Sequence, residues 1–166
     1  MSRIRRPELH SRFFFITCCL RRGAAPLRES EFKILAQVFD VTRRKLDIAL
    51  CGHSFMPDHW HTIVLPAAAT SVSDFVMRIK MATARRIQNL RHGRGPLWQP
   101  RFHDHVITSR GEFDQTLHYI HMNPVRKNLV DEPPAWLWSS ANWYAGNGGP
   151  LVMDAVRLPL NPADRV

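Results

Sequence analysis

The chain has 166 residues, of which 45% are hydrophobic and 22% charged, the proportions of one compact globular domain rather than a fibrous or disordered chain. Its 23 Lys and Arg outnumber its 14 Asp and Glu, for a net charge of +9, so a polyanion is the partner to expect and an acidic protein class is excluded. No signal-peptide pattern and no apolar run of bilayer length occurs, and three cysteines make no disulfide framework, so no membrane is expected and the location expected is cytoplasmic.

Residues 1–12 form a basic arm with Arg5, Arg6 and Arg12 placed to lie on phosphates. Arg12 to Leu20 is rich in aromatic and β-branched residues and reads as a strand. After a loop at 21–26, the spacing of Phe32, Leu35, Ala36 and Phe39 predicts a helix over 29–45. Leu46 to Phe55 is a second strand, and Met56-Pro57-Asp58 is a tight turn into a third, His59 to Leu65. Strands joined so closely are antiparallel neighbours. Because side chains alternate along a strand, His59 and His61 share a face with Trp60 opposite, and two imidazoles side by side are half of a metal site.

A capping pair, Ser71 and Asp74, opens a long helix that runs to about Arg91, with Val72, Val76, Ile79, Ile87 and Leu90 on one stripe. Arg78, Lys80, Arg85 and Arg86 line much of the rest, and cations of one sign on one helix repel each other unless a polyanion visits. These four are the expected phosphate contacts alongside the arm. A fourth strand covers about Phe102 to Thr108, and its His103 and His105 form a rival pair. The last helix spans about Glu112 to Met122 and is expected to stop near Pro124, which leaves Asn123 as a cap. Gln115, Tyr119 and Asn123 make its polar stripe.

The order predicts an α+β, ferredoxin-like β-α-β-β-α-β antiparallel sheet with two helices on one face. An additional C-terminal helix carrying the tyrosine can lie across the other face, and an irregular tail follows. Residues 1–130 are read as one domain with its arm, and 131–166 as a tail rich in Pro and Trp that packs on the domain or extends from it.

Three ordered motifs now stand together: Met56-Pro57-Asp58-His59-Trp60-His61, Leu97-Trp98-Gln99-Pro100-Arg101-Phe102-His103-Asp104-His105, and Tyr119-Ile120-His121-Met122-Asn123-Pro124-Val125-Arg126. In them the chain resembles the single-tyrosine HUH transposases, and in particular the REP-associated tyrosine transposases, from about Arg12 to Tyr144. The resemblance implies a metal-dependent single-strand DNA endonuclease and strand transferase, with Mg²⁺ or Mn²⁺ held by His59, His61 and Asn123 and with Tyr119 as nucleophile. It also implies hairpin DNA beside a single-stranded guide as substrate, a nucleoid-associated bacterial setting, and a monomer in place of the dimer used by insertion-sequence enzymes. Lys127-Asn128 departs from the family pattern, where small residues are common, and adds charge near the site.

Two other classes fit the residues. A non-catalytic nucleic-acid-binding module would use the same sheet and cations. A small zinc protein would use Cys51, His53, His59 and His61, since Cys51 and His53 would share a face of a regular strand.

Overall fold

The computed structural model describes residues 12–156, so Arg5 and Arg6 lie outside the described residues. The elements follow the expected order: β1 (Phe13–Cys19), α1 (Glu29–Lys45), β2 (Ile48–Phe55), β3 (His59–Pro66), α2 (Val72–Leu90), β4 (His103–Ile107) and α3 (Arg110–Arg126). The sheet order is β2-β3-β1-β4, antiparallel throughout, which is the ferredoxin-like arrangement.

Local chemistry sets the helix ends. The first turn of α1 carries Glu29 and Glu31 and its last turn Arg43, Arg44 and Lys45, each complementing the helix dipole. Ser71 caps α2 by accepting from the Asp74 amide, and Ser109 caps α3 by accepting from the Glu112 amide. The last helix differs from its expected extent, because α3 runs through Pro124 to Arg126. Pro124 has no N–H to give the preceding turn, yet it is buried and the helix continues past it. Asn123 is therefore helical and not a cap.

Strand alternation divides the side chains between two layers. Ile16 and Cys18 of β1, Ile48 and Leu50 of β2, and Trp60 and Val64 of β3 face α1 and α2 and form the larger core with Phe39, Phe75 and Ile79. Phe13 of β1, Ile63 of β3 and Ile107 of β4 face the other way and meet Phe113 and Ile120 of α3. Gly52 lets α3 come close, since a Cβ there would stand 2.6 Å from the Leu117 side chain.

A β-bulge interrupts β2, where the register with β3 shifts between Leu50 and Gly52. Ahead of it Ile48 and Leu50 face the two-helix layer. Beyond it Cys51 joins the α3-side cluster, while His53 sits on the two-helix side with its ring 4.9 Å from Phe55. The extra residue thus separates two side chains that a regular strand would place together.

Residues 131–156 lie along the free edge of β2. Phe55 N donates to Trp138 O, Ser140 N to His53 O, and Asp154 N to Leu50 O, each at 2.8–2.9 Å. Trp138 stacks on Phe32, Trp136 meets Phe32 edge-on, and Leu151 and Met153 are buried in the larger core. An exposed strand edge invites pairing with other chains, and here the tail covers it. The tail also contains a short helix, α4 (Ala141–Tyr144).

Candidate active site

The antiparallel register puts Thr17 opposite His61 and Cys19 opposite His59, on the face that α3 crosses. The Nε2 atoms of His59 and His61 face each other at 3.0 Å. Their other ring nitrogens are each held from behind. His59 Nδ1 lies 2.6 Å from Asp58 Oδ1, and since a carboxylate only accepts, that nitrogen carries the proton and leaves the Nε2 lone pair free. His61 Nδ1 lies 2.8 Å from the Thr17 hydroxyl, which serves either tautomer: it donates when Nε2 is protonated and accepts when Nε2 offers its lone pair. Burial, then the neighbouring His59, holds His61 down at about 3, so its ring stays neutral at physiological pH.

From α3, Asn123 arrives with Nδ2 3.5 Å from His59 Nε2, and turning the amide over presents its oxygen at that point. Tyr119, one helical turn earlier, has its ring centroid 5.6 Å from that of His61 and packs edge-on to Phe15 at 6.1 Å. It is 42% exposed, whereas Asn123 is 6% exposed. The guanidinium of Arg126 stands 5.4 Å from the centre of the Tyr119 ring. Arg126 reaches that position because the helix continues beyond Pro124.

These residues fit a divalent cation. Bonds of about 2.1 Å put neighbouring ligand atoms about 3.0–3.4 Å apart, close to the 3.0 Å between the two Nε2 atoms and the 3.5 Å from His59 Nε2 to the Asn123 amide. Two Nε2 lone pairs aimed at one point repel unless a proton or a cation lies between them. Among the described residues no third His, Cys, Asp or Glu completes a metal cluster, so the third donor available is the Asn123 amide.

His59 and His61 of β3 are thus brought together with Tyr119 and Asn123 of α3. The other candidates are not. His103 and His105 lie on the edge strand β4, exposed, with His105 bonded to Glu112 of α3. The four-ligand zinc arrangement is broken by the bulge, which sends His53 to the other side of the sheet from His61. Tyr144, the second of the chain's two tyrosines and so the other candidate nucleophile, donates to Cys51 O at 2.7 Å, and burial raises its phenol to about 12. His121 bonds Ser140 Oγ at 2.8 Å. Arg78, Lys80, Arg85 and Arg86 of α2 lie across the sheet from the histidines, and Arg12 precedes β1 at the end away from His59.

Sequence reasoning had missed Thr17, Asp58 and Arg126 as members of the site. Asp58 is visible only as a turn residue beside a histidine. Thr17 is 44 residues from His61, and nothing short of the strand register pairs them.

A family model for IS200-like transposases matches residues 10–123. A REP-associated tyrosine transposase of Escherichia coli strain K12 is 26% identical over 141 residues, covering 84% of this chain and 82% of that protein. The solved structure of a REP-associated tyrosine transposase bound to a REP hairpin superposes with a TM-score of 0.75 at 23% identity, covering 100% of this chain and 99% of that one. A Deinococcus radiodurans protein solved as a candidate transposase gives a TM-score of 0.52 at 20% identity, over 72% of this chain and 95% of that one. At these identities the two structures speak for the fold.

Proposed function

The chain belongs to the IS200-like transposase family, and from that premise we propose that it is a metal-dependent single-strand DNA endonuclease and strand transferase of the HUH type, acting beside REP-like hairpins. The observation that carries this reading is the convergence of His59, His61 and Asn123 on one point with Tyr119 beside them. The similarity to a protein solved with a REP hairpin supports the choice of DNA.

His59, His61 and Asn123 would hold Mg²⁺ or Mn²⁺, which when bound supplies Lewis-acid polarisation of the scissile phosphate. Asp58 and Thr17 fix the imidazoles so that both Nε2 atoms point inward. The Tyr119 oxygen bonds to phosphorus as the bond from phosphorus to the 3′ oxygen breaks. The phenol gives up its proton and the leaving 3′ oxygen takes one. The products are a 5′-phosphotyrosine and a free 3′-hydroxyl. One phosphoester replaces another, so the released hydroxyl can attack in turn and reseal or transfer the strand. Tyr119 serves the histidines of its own chain, which supports action as a monomer.

The test incubates the protein with a labelled hairpin oligonucleotide carrying a single-stranded flank and Mn²⁺ or Mg²⁺, followed by a denaturing gel. A metal-dependent covalent protein–DNA band is expected, lost in Tyr119→Phe and in His59→Ala. Binding without an adduct over several hairpins would replace this reading with a non-catalytic binding module. An adduct that survives Tyr119→Phe would move the nucleophile elsewhere.

A further inference from the structure

The cations of this protein fall into two groups. On α2, Arg78 is paired with Asp74 at 2.9 Å, Lys80 donates to the carbonyls of Gln99 and Pro100, and Arg86 donates to Gln37. Arg91, just past that helix, is bound to the buried carboxylate of Glu31 and to the carbonyls of Ala25 and Pro26. Apart from Arg85, these charges already have partners, and their helix covers the sheet face away from the histidines.

The second group surrounds the end of the sheet where β1 leaves and β3 and β4 begin. Three segments are laced together there by backbone bonds: Leu20 N to Asp58 O, Arg21 N to Leu97 O, and Gln99 N to Cys19 O, at 2.8–2.9 Å. Arg21 and Arg22 lead out of this lacing on one side. Arg101 leads into β4 on the other, two residues before His103, which pairs with the same Thr17 that holds His61. The last turn of α3 comes to the same end, since Asn123 meets His59, and brings Arg126 and the following Lys127. All five side chains are exposed, and none has a carboxylate partner among the described residues. Asp58, the carboxylate in the turn, is engaged by His59.

We propose that these five residues form a track for the single-stranded DNA backbone, gripping phosphates on either side of the one Tyr119 attacks, and that the outer face of α2 is not the strand's path. The inference rests on reading Tyr119 and the histidines as the reacting centre. Unpaired cations that ring this centre on separate loops and a helix end can follow a strand that bends through it. Cations paired on a far helix face would have to give up existing partners first.

Phosphate contacts are independent of sequence, so the probe is labelled oligo-dT, with a blunt random-sequence duplex beside it. The variant Arg21→Ala/Arg22→Ala/Arg101→Ala is compared with Lys33→Ala/Arg44→Ala/Lys45→Ala, which removes equal charge from α1. Thermal unfolding confirms that both are folded. The loop variant is expected to lose at least about tenfold in affinity for oligo-dT, and its salt dependence to flatten by about 2 in log–log slope for three lost contacts to a single strand. Arg21→Lys/Arg22→Lys/Arg101→Lys should keep most of the affinity, and the blunt duplex should respond less. Wild-type affinity and slope in the loop variant would overturn the track, as would an equal loss in the α1 variant or on the duplex. Binding is read without cleavage, so absence of the covalent adduct would count against Tyr119 while a selective loss in the loop variant would still support the track.

Discussion

Trp60 and His61 are consecutive residues of one strand, yet they belong to different kinds of protein interior. Trp60 is fully buried under two helices, with its ring 4.9 Å from Phe39 and 6.4 Å from Trp98. His61 faces a single helix, which seals the Phe13 half of its sheet face through Phe113 and Ile120 and leaves the His59 end reachable past a half-exposed Tyr119. The alternation of a strand allows this division, and the number of helices on each face decides what it becomes. Two helices close a dry core. One helix, laid over half a face, leaves room for polar groups, water and a substrate.

Trp60→Ala and His61→Ala make the largest break in this comparison. The first opens a cavity in the two-helix layer and is expected to cost about 3–5 kcal/mol of stability, read by denaturant unfolding. His61→Ala is expected to cost about 1–2 kcal/mol and to abolish the metal-dependent adduct on a hairpin substrate. Equal destabilisation by the two changes, or a normal adduct from His61→Ala, would erase the distinction between the faces.

Acid tests the dry side. His53 lies beyond the bulge on the two-helix side, with both ring nitrogens buried and unpartnered. Burial, and then the nearby His121, pushes it down to about 3; His121 itself is held at about 4 by burial and then His118. In the unfolded chain a histidine takes a proton near pH 6.5. Above that value both states are neutral and burial of the ring carries no proton-linked cost. Below it the unfolded chain gains protons that the folded one refuses, so stability falls as the pH drops from about 6.5 toward 3. Each such histidine contributes a slope approaching about 1.4 kcal/mol per pH unit. In His53→Phe the decline between pH 6 and pH 4 should be shallower by up to that amount. An unchanged decline would mean that the folded protein accepts the proton on His53.

The sequence shows the outline of both faces. The parity of β1 and β3, the spacing of Tyr119 and Asn123, and the placement of α3 opposite α1 and α2 all follow from local periodicity and strand order. What escapes depends on pairing between distant segments. The bulge at Cys51 is hinted at only by the neighbouring Gly52, and it separates His53 from Cys51, which a regular strand would place beside it. Pro124 suggests a helix end, but the buried turn around it continues and carries Arg126 to Tyr119. The cations of α2 look like a free positive surface until Asp74 is found to engage Arg78, Gln37 to engage Arg86, and the carbonyls of Gln99 and Pro100 to engage Lys80. Charge can be counted in a sequence, whereas its partners cannot.

Thr17→Val is the finest test, because it removes one hydroxyl from the polar face and leaves the rest of β1 in place. Thr17 touches neither the nucleophile nor the point where the lone pairs converge; it acts through His61 Nδ1. Without it, His61 can still offer Nε2, but the tautomer and ring orientation that aim the lone pair lose their support. Loss of such a partner typically weakens metal binding by about 10–100-fold, and a site already built from two imidazoles and an amide stands at the lower end. Calorimetric titration with Mn²⁺ should therefore show about tenfold weaker binding, with the adduct rate largely recovered at saturating metal and unfolding stability changed by about 1 kcal/mol or less. Recovery at high metal separates a positioning role from a direct one, since His61→Ala removes a ligand and should not be rescued in this way. If Thr17→Val binds Mn²⁺ as tightly as the wild type, the hydroxyl serves only the strand. The polar face would then need no more support from its neighbours than the dry one.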